Sequence, residues 1–320
     1  MLPLVLLFLI FSFLFAIFLL SDCDLVLLYH SYFKGRGTLT SKFGGKVVWI
    51  TGASSGIGES LAYLLSSSGA KLILSARRKN ELERVLEKCQ ALSPLDNKNS
   101  HSILCLDLLQ YDEHENHAKR VIEQYGKVDF LVNNAGLSQR SVAVETKLEV
   151  PKYLLDLNFF GTISLTNAVL PYMMRERSGC IAIVSSIAGK IGVPCSTGYS
   201  ASKHALQGYF DGLRIEMQSS GISVVSVCPG ATGTTDSRTV LGTALDKSTS
   251  PLPFQSRMSV ERCSYLIGVA MANELEEAWI SQHPQLLYTY INQYAPWTAK
   301  KLGKTVGQKT FEANKKTNST

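Results

Sequence analysis

Two kinds of apolar pattern alternate along most of this chain. Lys46–Ile50, Lys71–Ser75, Ser102–Leu106, Val128–Val132, Cys180–Ser185 and Ser223–Cys228 are short, largely apolar runs, many of them β-branched, and several are closed by Gly, Asn, Ser or Pro. Such runs predict strands buried on both faces. Between them lie helical patterns, the first over Glu59–Ser68. Strands alternating with helices predict an α/β fold: a single doubly wound domain with a mostly parallel sheet and helices on both faces. Ligands of such sheets gather at the carboxyl ends of the strands. The polar clusters Asp107-Leu108, Asn133–Gly136, Ser186 and Pro229-Gly230 all fall there.

The two ends of the chain break the pattern. Met1–Ser21 carries no charged side chain and is dense in Leu, Phe and Ile. It approaches the roughly 20 residues that cross a bilayer as a helix. No basic residue precedes it and no A-x-A-like site follows it, so a retained single-pass anchor is expected rather than a cleaved signal peptide. The expected organisation is a membrane helix over 1–21, a membrane-proximal connector over 22–45, the α/β domain over 46–285, and an aromatic then basic tail over 286–320. Within the connector, Leu25–Phe33 is a second apolar patch, for the membrane surface or for the domain. Tyr288–Trp297 suits a membrane interface, a second core layer or an oligomer contact. Asp22 and Asp24 follow the apolar run and Lys34, Arg36, Lys42 and Lys46 come later. That asymmetry leans to a cytosolic body and leaves the orientation open.

Composition narrows the classes. With 320 residues and 45% hydrophobic content, the chain can bury one large core. Of its net charge of +6, the stretch from Lys300 onward carries six lysines against Glu312 alone. A nucleic-acid protein spreads basic charge over a folded face, so no nucleic-acid partner is expected. The basic end reads as a solvated, frayed terminus, with anionic lipid as the other candidate contact. Asn318-Ser-Thr320 matches a glycosylation acceptor at the chain's extreme end, a chance match. Seven cysteines show neither C-x-x-C pairing nor metal-ligand spacing, and no disulfide framework is read. His114-Glu-Asn-His117 lacks the H-E-x-x-H spacing and reads as the solvated face of a polar helix, so no metal is expected.

Candidate chemistry begins at the first strand. It runs into Thr51-Gly-Ala-Ser-Ser-Gly-Ile-Gly58 and then into a helix. A strand, a glycine turn and a helix N-terminus form the setting in which a dinucleotide pyrophosphate is held, which makes the fold Rossmann-type. The spacing is G-x-x-x-G-x-G, and no G-K-[ST] follows, so it is no P-loop. The second strand ends in Ser75-Ala-Arg-Arg78, where NAD binders usually place an acid. Two guanidiniums and no carboxylate point to the 2′-phosphate of NADP(H). Farther on, Tyr199-Ser-Ala-Ser-Lys203 puts a phenol and an ammonium on one helix face. A neighbouring ammonium is expected to lower the phenol's pKa from about 10, which suits it to proton transfer near neutral pH.

From about Lys46 to Trp279 the chain resembles the short-chain dehydrogenase/reductase superfamily. Thr51–Gly58, Asn133–Gly136, Asn158, Ser186, Tyr199 with Lys203, and Pro229-Gly230 through Thr234 carry the likeness in order. The anchor, Leu74-Ser-Ala-Arg-Arg78 and Trp279-Ile-Ser281 narrow it to a branch of endoplasmic-reticulum membrane enzymes that reduce steroids, retinoids and other carbonyls with NADPH. The resemblance implies a tetrad. Tyr199 exchanges a proton with the substrate oxygen, and Lys203 lowers its pKa and holds the nicotinamide ribose. Ser186 bonds the substrate oxygen, with Ser185 in support, and Asn158 fixes a water behind Lys203. It also implies cofactor contacts at Gly52, Ser54, Ser55, Gly56, Ile57, Gly58, Arg77, Arg78, Asp107, Leu108, Asn133, Pro229, Gly230 and Thr234, with Tyr199 and Lys203 shared. Ser55 stands where many NADP-preferring members have a basic residue, so cofactor preference falls on Arg77 with help from Arg78. Ala231-Thr-Gly-Thr-Thr235 is more polar than in most members.

The expected activity is NADP(H)-dependent hydride transfer between the nicotinamide and a carbonyl or secondary alcohol of a lipophilic substrate. The bilayer is the expected partner and a homo-oligomer is left open. The loop Asp236–Arg257, with Leu241, Leu245, Leu252 and Phe254, is the expected substrate lid. A cofactor-binding scaffold with little turnover and an NAD(H)-dependent alcohol dehydrogenase are the alternatives.

Overall fold

The structure, a computed structural model, describes residues 12, 15–94, 100–233, 240–249 and 257–317. Its strands are β1 (Val47–Thr51), β2 (Lys71–Ala76), β3 (Ser102–Cys105), β4 (Phe130–Asn133), β5 (Ser138–Gln139), β6 (Gly179–Val184), β7 (Ile222–Pro229), β8 (Val240–Leu241) and β9 (Glu277–Ile280). Seven of them form one sheet in the order β3-β2-β1-β4-β6-β7-β9, and β5 pairs with β8 apart from it. Every pairing in the large sheet is parallel. Strand β9 was not foreseen, because Glu277-Ala-Trp-Ile280 is only four residues long and opens on an acid.

The helices are α1 (Leu25–Phe33), α2 (Gly35–Phe43), α3 (Gly56–Ser67), α4 (Lys79–Leu92), α5 (His114–Tyr125), α6 (Glu149–Leu155), α7 (Gly161–Glu176), α8 (Thr197–Met217), α9 (Val260–Ala272), α10 (Gln285–Tyr294) and α11 (Pro296–Thr317). Alternation along β1 divides its side chains between two cores. Val48 and Ile50 join Leu61 of α3, Leu82 of α4 and Leu266 of α9. Val47 and Trp49 join Val121 of α5, Leu165 of α7 and Phe210 of α8. Because both faces are covered, all five residues of β1 are buried. Trp49 meets its one polar need there, donating Nε1–H to the Ser75 hydroxyl at 2.8 Å.

Most of the expected anchor, Met1–Ser21, lies outside the described residues, and among these no helix is long and apolar enough to cross a membrane. Its described end packs on the domain: the Phe18 ring sits edge-on to His283 at 4.9 Å and to Tyr290 at 5.3 Å. The connector is helical, and Asp24 ties it to the last strand. Its carboxylate accepts from the Leu27 N–H at 3.0 Å, capping α1, and from the Trp279 N–H at 2.7 Å. The Asp24 N–H donates to the Trp279 carbonyl at 2.8 Å. Nearby, Asp22 makes a two-bond ion pair with Arg262 of α9, at 2.7 and 2.9 Å.

Two expectations are corrected. The basic end is no frayed coil as far as Thr317: α11 runs from Pro296 to Thr317 and packs on α10. The Tyr288 hydroxyl donates to the Ala299 carbonyl at 3.1 Å across that corner. His114 does not lie on a solvated face, being 1% exposed with Nδ1 2.8 Å from the Ser164 hydroxyl. The helix rotates it onto α7 because Ala118 and Val121 define the buried stripe.

Replacing Asp24 with alanine removes the cap of α1 and one side-chain bond between segments more than 250 residues apart in sequence. Asp24→Ala should cost about 1–3 kcal/mol of stability, seen as a lower denaturant midpoint in detergent. An unchanged midpoint would show that the connector docks without it.

Candidate active site

A cavity of about 1270 Å³ opens at the carboxyl ends of the central strands. It lies where the chain order of the sheet reverses, between β1 and β4, with the β1 connection leaving to one face and the β4 connection to the other. At this seam the Thr51 hydroxyl accepts from the Asn134 and Ala135 N–H groups at 3.0 and 3.1 Å. The Asn134 amide donates back to the Thr51 carbonyl at 2.9 Å. Gly52 and Gly56 have φ of +65° and +60°, a region costly for side chains with a Cβ. A Cβ on Gly58 would stand 2.4 Å from the Gly52 carbonyl oxygen. Helix α3 begins there with no side chain capping it, so its first N–H groups face the cavity.

The turn is held from behind. Arg84 donates to both oxygens of Glu59, at 2.7 and 3.0 Å, and to the Ser54 carbonyl at 3.5 Å. Burial works against the Glu59 charge, but bonds from Arg84 and Tyr63 outweigh it and hold the carboxyl below its usual range. At the same end of the cavity, Arg78 Nη2 donates to the hydroxyls of Ser54 at 3.2 Å and Ser55 at 3.0 Å. Arg77, Asp107 and Leu108 complete that end.

The opposite wall carries Ser186, Tyr199 and Lys203. Ser186 follows β6, donates to the Pro229 carbonyl at 3.2 Å and accepts from the Ala188 N–H at 3.1 Å. Its hydroxyl acts on the Tyr199 phenol to favour the ionised form. Lys203 is 4% exposed, donates to the Val184 carbonyl at 2.9 Å and lies 5.8 Å from the centre of the Tyr199 ring. The expected lowering of the phenol's pKa is not found. Burial pushes Tyr199 above its ordinary value, against the lowering effect of the Ser186 hydroxyl, and pushes Lys203 down to about 8. Desolvation disfavours both charged forms and is the largest cause of each shift. Ser185, expected to support Ser186, donates instead to the Lys203 carbonyl at 3.3 Å.

Three expected residues turn away from the cavity. Gly58 packs behind the turn. Asn133 is buried and donates to Thr166 of α7 at 2.9 Å, leaving the cavity wall to Asn134, Ala135 and Gly136. Asn158 is fully buried in a π-turn, Asp156–Phe160, a helical irregularity common at functional sites. Its amide donates to the Leu137 carbonyl and the Ser202 hydroxyl and accepts from the Leu137 N–H, all within 3.0 Å. A Cβ on Gly136 would stand 3.0 Å from Asn158 Oδ1 and 3.5 Å from Lys203 Nζ, so the two flank one gap. Thr234 lies outside the described residues, as do Leu252 and Phe254 of the expected lid. Leu241 of that loop forms β8 with Val240, against β5.

Other parts of the site escaped sequence reasoning. Gln139 accepts through Oε1 from the Gly198 and Tyr199 N–H groups at 3.0 and 3.4 Å, fixing the start of α8. Leu287, Tyr288 and Ile291 of α10 and Leu302, Gly303 and Gly307 of α11 wall the cavity. Their signal was present only as an aromatic stretch with three readings.

The family model of the short chain dehydrogenases matches residues 46–244. Human dehydrogenase/reductase SDR family member 7 is 45% identical over 90% of this chain and 86% of its own length. The mouse protein of that name is 46% identical over the same shares. A crystal structure of a short-chain dehydrogenase from Streptomyces avermitilis covers 82% of this chain and 97% of its own, at 25% identity and a TM-score of 0.68. Levodione reductase shares the fold, with a TM-score of 0.66 at 21% identity over 76% of this chain and 98% of its own.

The chain belongs to the short-chain dehydrogenase/reductase family.

Membership makes it an oxidoreductase that uses a nicotinamide dinucleotide. The residues present fit that group: a Cβ-free cradle, an uncapped helix start, and arginines with serine hydroxyls beside it. The cradle's closest approach is testable. Gly58→Ala must displace backbone, whereas a Cβ on Gly208 of α8 meets nothing within 4 Å. Gly58→Ala should weaken dinucleotide binding at least about 10-fold, roughly the effect of losing one charge-assisted bond, while Gly208→Ala leaves the Kd unchanged. Equal Kd values for the two variants would show that the turn tolerates expansion.

Proposed function

We propose that this chain is a membrane-anchored NADP(H)-dependent carbonyl reductase of the endoplasmic reticulum, acting on a lipophilic ketone or aldehyde of the steroid, retinoid or xenobiotic kind and, in reverse, on the alcohol. The observation that carries it is the convergence of Ser186, Tyr199 and Lys203 on one wall of a cavity whose other end holds Arg77 and Arg78. NADP(H) is favoured by charge: two guanidiniums close β2 where an acid would repel a 2′-phosphate. A lipophilic substrate is favoured by the apolar lining that α10 and α11 add. The uncharged Met1–Ser21 supports the anchor. Tyr29, Phe33 and Trp297 support a body resting on the bilayer, being exposed to 56%, 77% and 69%.

Bound nicotinamide supplies or accepts the hydride. The protein's part is to hold the carbonyl oxygen and give it a proton. The Ser186 hydroxyl, on the same wall as the phenol, orients the oxygen and stabilises charge growing on it. Tyr199 keeps its proton at neutral pH because burial raises its pKa, and a donor needs that. As the proton leaves, the Lys203 ammonium steadies the phenolate. Asn158 locks Leu137 and leaves an Oδ1 lone pair toward the gap it shares with Lys203, the side from which the proton is replaced.

Turnover of a panel of lipophilic ketones by the full chain in detergent tests this reading. NADPH should be preferred to NADH, and Tyr199→Phe should lower kcat by about 10²–10⁴-fold with the NADPH Kd unchanged. Tight NADPH binding without turnover would favour the scaffold instead. The rate should also depend on pH. Lys203 is cationic below about 8 and neutral above, so kcat/KM for reduction should fall as pH rises through that value. A profile flat to pH 10 would remove Lys203 charge from the mechanism.

A further inference from the structure

One cation in the cavity has no task in the proton transfer. Arg140 follows β5, where the two-residue period sets Ser138 and Arg140 on the cavity side and Gln139 on the other. The segment is rigid. The Arg140 N–H donates to the Leu241 carbonyl at 2.7 Å and the Ser141 N–H to the Cys195 carbonyl at 2.8 Å. Gln139 between them holds the start of the helix that carries Tyr199. Arg140 therefore enters the cavity from a fixed strand beside the reacting end, remote in sequence from the arginines that close β2.

Its surroundings are unusual for an arginine. Nη1 is buried and has no hydrogen-bond partner, although a guanidinium offers five donors. Among the described residues no carboxylate pairs with it. Burial lowers its pKa, and the second guanidinium of Arg257 lowers it further. Val193, Pro194 and Val240 share the lining. A buried donor without a partner costs stability, and a structural arginine would use its donors on the fold. A ligand that brings an anion removes that cost.

We propose that Arg140 is a substrate-recognition residue and that the lipophilic carbonyl compound carries a carboxylate, which pairs with the Arg140 guanidinium while the apolar body lies along the cavity wall. This rests on the oxidoreductase reading above and narrows its substrate class to acids. A planar fork in a cavity shared with Val193, Pro194 and Val240 suits a carboxylate in two-bond geometry.

The test uses a long-chain oxo acid and its methyl ester with NADPH and the full chain in non-ionic detergent. The acid should exceed the ester in kcat/KM by about 10- to 100-fold, the usual worth of a charge-assisted bond. Arg140→Met should bring that ratio close to one, mostly through KM, and Arg140→Lys should restore part of it. Because the ratio is taken within one preparation, loss of folded protein cancels. Equal values for acid and ester in the unsubstituted chain, or a ratio that Arg140→Met leaves alone, overturns the proposal. Binding is read separately, from the fluorescence of bound NADPH titrated with a saturated long-chain carboxylate against its alcohol. Carboxylate-selective binding that Arg140→Met abolishes supports the site even where no ketone turns over, and unselective binding refutes it. Absence of turnover with selective binding intact would count against the oxidoreductase reading alone.

Discussion

The seam between β1 and β4 is the constraint on which the rest of this molecule depends. The two strands are neighbours in the sheet, yet the chain leaves them toward opposite faces. Their carboxyl ends cannot stay covered, so a crevice forms there in any sheet of this order. A crevice lined by strand ends exposes backbone polar groups that must be satisfied. Thr51 and Asn134 do this for one another, through bonds of 2.9–3.0 Å between strands more than 80 residues apart. With those ends locked, the glycine turn can approach the Asn134 side chain closely and helix α3 can start at the cavity wall.

Burial governs the chemistry of the opposite wall. An attraction between Tyr199 and Lys203 is what their spacing suggests, but in the fold burial penalises each charged form. The result is a phenol that keeps its proton and an ammonium poised near 8. Positioning is equally indirect. Gln139 fixes the amino end of α8, Ser185 bonds the Lys203 carbonyl, and the Asn158 amide holds Leu137. None of these bonds adds to the reaction, and each narrows where the reacting groups can stand. The same rigidity around Arg140 makes its buried Nη1, unpartnered among the described residues, a feature of the site.

Six of the seven strands in the large sheet, their parallel sense and the glycine turn were readable because each is a local pattern. Short apolar runs mark doubly buried strands, and a turn needing positive φ selects glycine. Ser186, Tyr199 and Lys203 were readable for the same reason, since their spacing follows from one helix and one strand end. Side-chain direction was not readable. Nothing in Asn133-Asn134 tells which amide faces the cavity, because that depends on Thr166 waiting in α7. His114 looked solvated until α7 was laid over it.

Sequence by itself determined the fold class, the place of the nucleotide cradle and the residues that face each other across one helix turn, because these rest on periodicity and on φ. Only the tertiary structure decided that burial, rather than charge, sets the state of Tyr199. Only it decided that the basic end folds back as a wall of the cavity, and that Arg140 Nη1 lies there buried with no hydrogen-bond partner among the described residues. Desolvation and long-range contact are properties of what surrounds a residue, and the surroundings here come from segments dozens to hundreds of positions away.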